Sequence, residues 1–208
     1  MYNQSRYDRV RKLIRLVNQR RKRQAKQIDI LCNDFIIAHR NLIKKAETLC
    51  FAANFYQSII AAKNLEDVLD TAGALLKNEI KDAAVVFFLK QGGSFNKYCS
   101  ANIDNDSRDE QSLESFITTE TASSICRENY PCNLDEMMNM GLQIAPVLLG
   151  KLTAFAVPLL SSGSSIGFIL IYRKSDKQIS LEQIDMVNCI SFGLARAIAS
   201  CQTAYSKN

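Results

Sequence analysis

Thiol chemistry is the first possibility that the residue types of this chain raise. Its 208 residues include seven cysteines, and Cys126 has a cationic neighbour, Arg127. Positive charge beside a thiol lowers its pKa and favours the reactive thiolate. The cysteines are odd in number, however, and they form no C-x-x-C pair and no spacing typical of a disulfide framework. We therefore expect reduced thiols that fill apolar positions, and we assign no catalytic residue.

Metal and phosphotransfer chemistry have weaker signals. Residues 104–110 show the acidic spacing of a calcium loop, but Arg108 takes the place of a ligand and Asp109 that of the turn glycine. The only histidine, His39, lies in a helical segment where a phosphoacceptor could stand, although no ATP-binding sequence accompanies it. A solvated loop and an exposed helix position are the preferred interpretations. We predict no metal site.

Positive charge is concentrated at the start of the chain. Residues 1–26 contain ten Lys or Arg and one acid, a net charge of +9, which leaves −4 for the remainder within the total of +5. A basic segment before an apolar heptad repeat is typical of some DNA-binding dimers, and it is also typical of a solvated helix face. Because the repeat continues through the basic segment, the solvated face is preferred. Nucleic acid contact through residues 6–26 stays an alternative, beside acidic protein or membrane partners.

These groups lie on what the sequence predicts to be one long helix, residues 1–62. No glycine or proline occurs there, and apolar residues recur with the alternating three- and four-residue spacing of a coiled coil. At ~1.5 Å per residue the helix would be roughly 80 Å long, which exceeds what one small domain can cover. We predict a homodimer through an apolar seam comprising Val10, Ile14, Val17, Ile28, Leu31, Phe35, Leu42 and Leu49.

The remaining residues, 63–208, suit one compact domain. Asn64 is predicted to cap a helix that ends at Glu79. An apolar run at 83–89, a turn at Gly92-Gly93 and a second run at 95–103 together predict a hairpin.

The second half of this domain begins with short helices, predicted near 107–117, 121–127 and 135–140, and a strand near 142–149. A further hairpin is predicted from 152–160 and 166–172. Ser180 and Gln183 form the capping box of a closing helix. No stretch approaches the ~20 apolar residues of a transmembrane span, and the first twelve residues are too polar for a signal peptide. We therefore expect a cytoplasmic chain.

Three segments resemble the C-terminal half of a GAF domain. They are Ala154–Leu159, with its Val-Pro-Leu, then Ile166–Tyr172 after a Gly/Ser turn, and the end of the closing helix, Gly193–Ala199. The order of the earlier elements fits as well, so the resemblance covers about 64–201. It implies an α+β fold in which an antiparallel sheet of five or six strands has helices on both faces. Here a long N-terminal coiled-coil helix precedes that fold.

The resemblance also implies a function and a set of site residues. GAF domains commonly act as non-enzymatic sensory modules in intracellular signal transduction, and their first and last helices often bundle with those of a second subunit. This adds Ile184 and Leu194 to the expected dimer interface. It also implies an unidentified signalling partner and a small-molecule pocket on the other face of the sheet. We expect that pocket to be lined by Tyr98, Phe116, Met137, Met140 and Phe155.

The ligand itself stays unknown, although the resemblance argues against three kinds. Cyclic-nucleotide-binding members have Asn-Lys, Phe and Asp-Glu where this chain has Arg173-Lys174, Ile179 and Gln183-Ile184, so only the lysine matches. Haem- and bilin-binding members need ligands that this chain lacks, because His39 lies outside the domain.

Two alternative functions remain open. One is a dimerising interaction scaffold of the same fold, whose pocket is filled by its own side chains. The other is thiol-dependent reduction, because a family of small GAF enzymes reduces free methionine sulfoxide with pocket cysteines. Cys126 and Cys132 fall in the corresponding region, but the glycine-rich setting of the catalytic cysteine in those enzymes is missing.

Overall fold

The structure is a computed structural model that describes residues 2–99, 112–144, 150, 152–174 and 178–205. The acidic segment 104–110, the start of the helix expected near 107–117 and residues 145–149 of the strand expected near 142–149 lie outside these residues. The chain divides into two compact units, Met1–Glu47 and Thr48–Asn208.

The first unit consists of helix α1, which runs from Tyr2 to Ile60 and so continues into the second unit. The predicted long N-terminal helix is therefore confirmed. Every described side chain between Arg6 and Glu47 is exposed.

The second unit is built around five strands. After α1 come α2 (Leu65–Glu79), β1 (Ala84–Gln91), β2 (Ser94–Cys99), a 3-10 turn (Leu113–Phe116), α3 (Thr119–Arg127), β3 (Cys132–Asn133), α4 (Leu134–Asn139), β4 (Leu152–Ser161), β5 (Ser164–Lys174) and α5 (Leu181–Tyr205). The sheet order is β2-β1-β5-β4-β3, and every neighbouring pair is antiparallel. The predicted α+β class, with an antiparallel sheet, is confirmed.

The predicted helix caps form as expected. The Asn64 side chain accepts a hydrogen bond of 2.8 Å from the backbone N–H of Asp67 at the start of α2. At α5, the Gln183 N–H donates to the Ser180 hydroxyl, and the Ser180 N–H donates to the Gln183 side chain. These bonds satisfy backbone groups that the first helical turn leaves without partners.

Glycines set the hairpins and one strand contact. Gly92 and Gly93 have φ of 58° and 94° and join β1 to β2 by a two-residue turn, the geometry that matches strand twist. Gly167 lies opposite Leu89 and Leu159 in the sheet. A Cβ there would stand 2.0 Å from the carbonyl oxygen of Phe88, so only glycine lets β5 approach β1 so closely.

Strand alternation divides the core into two clusters, one on each face of the sheet. The helical cluster lies under α2, α5 and the end of α1, and it includes Phe55, Phe155 and Leu194. The opposite cluster lies under α3, α4 and the 3-10 turn, and it includes Phe168 and Met137. Helices on both faces were predicted, and they are present.

Helix α5 belongs to the core of the domain. Contrary to the expectation that no stretch approaches a transmembrane span, the segment Leu181–Thr203 has, alone among the described residues, the length and apolar composition of one. Its face towards the sheet is occupied, however, because Val187, Ile190, Leu194 and Ile198 are each at most 1% exposed in the helical cluster. A third of this apolar stretch is buried, and the buried face accounts for part of the apolar composition of α5, as it does in amphipathic helices that pack on a core.

Candidate functional site

The apolar seam on α1 is an exposed surface. Its eight residues, from Val10 to Leu49, are each between 50% and 70% exposed. Fifteen of the nineteen large exposed hydrophobic side chains in the described residues lie on α1 between Tyr7 and Leu49. Soluble monomers rarely present a contiguous apolar surface of this kind unless it is used for binding. The seam is therefore the foremost candidate interaction surface of the chain.

Apolar side chains on α1 also extend beyond the seam. Ile30, Ile36, Ile37 and Ile43 lie between the seam positions and are 45% to 56% exposed. In a two-stranded coiled coil the contact is restricted to a narrow stripe. The middle of α1 thus has a wider apolar surface than a single seam uses.

The two residues of α5 that were expected at the dimer interface are placed differently. Leu194 is 0% exposed and packs inside the helical cluster, so its assignment to an interface is corrected. Ile184 is half-buried against the same cluster. The apolar repeat of α5 faces the sheet of its own domain, and the outward positions carry Phe192, which is 58% exposed, and Cys189.

The five expected pocket residues do not lie together. Phe116, Met137 and Met140 belong to the opposite cluster, whereas Phe155 and Tyr98 belong to the helical cluster. The reason is strand alternation: Phe155 shares its face with Val157 and Leu159, and Ala154 and Ala156 face the other way. The prediction of one pocket did not assign each residue to a face of the sheet, and for this reason it combined residues of opposite faces.

The face under α3 and α4, where the pocket was expected, is occupied by side chains. Phe88 and Phe168, which are opposite each other on β1 and β5, stack with ring centroids 4.7 Å apart. Phe168 and Met137 are both 0% exposed. Met137, one of the two methionines that were expected to line a pocket, is therefore part of the core, and Met140 packs against the same cluster.

A buried polar pair lies at the edge of this cluster and was missed by the sequence reasoning. The Tyr172 hydroxyl on β5 donates to a carboxylate oxygen of Glu114 in the 3-10 turn, and these residues are 6% and 8% exposed. Burial raises the pKa of Tyr172, and the Glu114 carboxylate raises it further. The pair fastens the 3-10 turn to the sheet. No sequence motif joins two residues so far apart in the chain.

A polar cleft of about 270 Å³ lies where α3 meets the two hairpins. Lys90 and Arg127 contribute positive charge to its lining, and hydroxyl groups come from Ser123, Ser164 and Ser165. Its residue types suit a small anion, but the lysine and the arginine are both exposed.

The two cysteines that could support thiol chemistry are poorly suited to it. Burial raises the pKa of the Cys132 thiol to about 11, and the Glu136 and Glu128 carboxylates act in the same direction. Burial also raises the pKa of Cys126, against the opposing effects of Ser165 and Lys90. Both groups are therefore protonated at neutral pH, and a protonated thiol is a weak nucleophile.

Comparison with known proteins rests on structure alone, because no family model and no curated protein matches the sequence. The chain is similar to the GAF domain of a phosphoenolpyruvate-protein phosphotransferase from Acinetobacter, with a TM-score of 0.57 and 15% identity over 77% of this chain and 98% of that one. The chain has a GAF-like fold. The corresponding GAF domain from Coxiella burnetii gives a TM-score of 0.56 at 16% identity, over 76% of this chain and 96% of that one.

A third GAF domain extends the comparison to signalling proteins. It comes from a protein described as a sensor histidine kinase of Pseudomonas syringae pv. tomato, with a TM-score of 0.55 and 14% identity over 82% of this chain and 99% of that one. At these identities the likeness concerns the GAF-like fold alone.

Proposed function

We propose that this chain is a non-enzymatic, cytoplasmic regulatory module of the GAF type, which forms a homodimer through the apolar seam of α1. The observation that carries the proposal is the exposure of that seam, from Val17 at 50% to Phe35 at 70%. Burying a leucine or phenylalanine side chain contributes about 1.5–3 kcal/mol. The same range holds for valine and isoleucine, so the eight seam residues on each of two helices favour association strongly.

A contact within the second unit supports a regulatory role for α1. The Tyr56 hydroxyl near the end of α1 donates to the carbonyl oxygens of Cys189 and Ile190 on α5, both at 3.3 Å. The Tyr56 ring lies so close to Gly193 that a Cβ there would stand 2.3 Å from a ring carbon. A displacement of α5 would therefore act directly on α1. We propose that the dimer passes such a displacement to an unidentified signalling partner.

The experiment that tests the dimer is light scattering at micromolar concentration on three proteins. We expect the wild type and Asn33→Glu to have twice the mass of the chain, and Phe35→Glu to be a monomer. Both substitutions introduce a carboxylate on an exposed position of α1, but only position 35 belongs to the seam. A monomeric wild type, or a Phe35→Glu protein as dimeric as the wild type, contradicts the proposal.

A second candidate is an interaction scaffold that binds no small molecule. It is favoured by the packed residues under α3 and α4, where Phe88 stacks on Phe168 and Met137 is fully buried. The first candidate differs from the scaffold if the module also binds an unidentified small molecule, as GAF sensors do, and a native mass spectrum of the gently purified protein tests this difference. A scaffold gives only multiples of the chain mass, whereas a sensor with a tightly held ligand gives an additional, constant mass increment that is lost on denaturation.

A further inference from the structure

The basic segment of α1, residues 6–26, contains ten Lys or Arg and only one acidic residue, Asp8. Each of these ten cationic side chains is exposed. At ~1.5 Å per residue, the segment is about 30 Å long. Fully solvated cations at this density repel one another, so a polyanion that neutralises several of them together would be bound strongly.

The positions of the cations leave them available when the seam is covered. Counted against the heptad of the seam, six of them occupy the positions on the far side of the helix: Arg9, Lys12, Arg15, Lys22, Arg23 and Lys26. Dimerisation would therefore not compete with a ligand for these side chains.

The seam itself changes character inside the basic segment. Arg21 and Gln24 occupy successive seam positions between Val17 and Ile28, and Ala25 is the only apolar residue in 18–27. Residues 18–27 thus contribute few apolar contacts to pairing with another helix, and their cations stay available to another partner.

We propose that residues 6–26 of α1 bind the phosphate backbone of duplex DNA. The duplex has about one negative charge per 1.7 Å of its axis, and its major groove, about 12 Å wide, accepts an α-helix. An anionic membrane is the less suitable surface. An interfacial helix buries its apolar face in the membrane, and here that face is interrupted at Arg21 and Gln24.

The test is fluorescence anisotropy of a labelled duplex of about 20 base pairs, titrated with the full chain at about 50 mM and about 200 mM salt. We expect binding at the lower salt concentration that weakens about a hundredfold or more at the higher one, because each neutralised phosphate releases counterions. A duplex of unrelated sequence should bind about equally well, since phosphate contacts do not depend on the bases.

A matched pair of variants locates the binding surface. The first variant carries four substitutions in the basic segment: Arg20→Gln, Arg21→Gln, Lys22→Gln and Arg23→Gln. The control carries four at exposed cations elsewhere: Arg40→Gln, Lys63→Gln, Lys81→Gln and Lys97→Gln. Both lose the same charge, and glutamine keeps a good helix propensity. We expect the first to lose at least thirtyfold in affinity at low salt and the control to lose less than threefold.

Three outcomes would overturn the inference: no binding of the duplex at low salt, equal losses in the two variants, or preferential binding to vesicles that contain phosphatidylserine. The inference does not rest on dimerisation, because a single helix already has the full set of cations. Light scattering on the same samples keeps the two questions apart. A monomer that binds DNA ends the dimer proposal alone, and a dimer that does not bind DNA ends this one alone.

Discussion

Phe35 and Phe55 lie on the same helix and have opposite surroundings. Phe35 is 70% exposed, whereas Phe55 is 1% exposed and packs in the helical cluster with Ala52 and Ile59. Apolar residues recur at three- and four-residue spacing around both, although Phe35 lies on the seam and Phe55 lies one residue before its continuation at Tyr56. The difference shows that a heptad pattern predicts that a helix face will be covered but does not predict whether the cover comes from the same chain or from another one.

The largest expected loss of stability tests whether Phe55 is packed in the core of its own domain. A Phe35→Glu background is used because the proposed dimer would not form in it. There, Phe55→Ala should lower the free energy of unfolding by about 3–5 kcal/mol, because it leaves a cavity. Leu42→Ala in the same background should cost less than about 1 kcal/mol, since Leu42 is 66% exposed. Urea denaturation followed by circular dichroism measures both. Equal losses of unfolding free energy in the two variants would show that the exposed and the packed parts of α1 contribute alike to stability.

A smaller effect is expected where α1 touches α5. Gly193→Ala places a Cβ 2.3 Å from the Tyr56 ring, so the ring or the helix must shift, at a cost of about 1–3 kcal/mol. In the double variant Tyr56→Ala/Gly193→Ala the second substitution should cost almost nothing. Denaturation of the four proteins of this cycle measures the coupling. Additive costs would mean that the two helices do not constrain each other there.

Buried Cys132 predicts how the stability of the second unit depends on pH. The folded state holds the pKa of Cys132 at about 11, above its ordinary value of 9.0. The folded state therefore binds the proton more tightly, and its stability should fall as the pH rises from about 9 to about 11. Cys132→Ala should reduce this fall. Unfolding curves across this pH interval measure it, and an unchanged slope in the variant would assign the fall to other groups.

The same cysteine gives a check on accessibility. At pH 8 a thiol reagent should label the exposed Cys32 and Cys50 of α1 while Cys132, which is 0% exposed, reacts only after unfolding. Rapid labelling of Cys132 in the native protein would show that the domain core opens as readily as the exposed part of the helix.

The smallest loss of stability is expected at the start of helix α2. Asn64→Ala removes the acceptor of the 2.8 Å bond from the Asp67 N–H and should cost about 1 kcal/mol. Asn64→Asp keeps an acceptor and should cost much less. Thermal unfolding, followed by circular dichroism, distinguishes them. A similar loss in both variants would mean that the amide group matters for another contact.

Much of the fold could be predicted because its signals are local. The cap at Asn64, the Gly92-Gly93 turn and the capping box of Ser180 and Gln183 depend only on residues a few positions apart. Strand β3 was not predicted, because two residues, Cys132 and Asn133, are too few to show alternation. It exists only because β4 offers Phe155 and Ala156 as partners.

The candidate site was harder to predict because it depends on which face a residue occupies. Leu194 has the spacing of an interface residue, but the same spacing serves equally well to pack α5 on the sheet. Strand alternation places Phe155 on the face of the sheet opposite the Met137 cluster, whereas its neighbours Ala154 and Ala156 belong to that cluster. The Tyr172–Glu114 pair joins residues 58 positions apart, and nothing in either local sequence signals the other.

Gly167 has a consequence for how this sequence can vary. At Gly92 and Gly163 a Cβ would meet open space, and the positive φ values of 58° and 82° are conformations that asparagine or aspartate can also adopt. At position 167 the obstacle is the backbone of Phe88 itself, which no change of rotamer can move aside. In a library of substitutions selected for folding, asparagine and aspartate should therefore be tolerated at positions 92 and 163. At position 167 only glycine should be recovered.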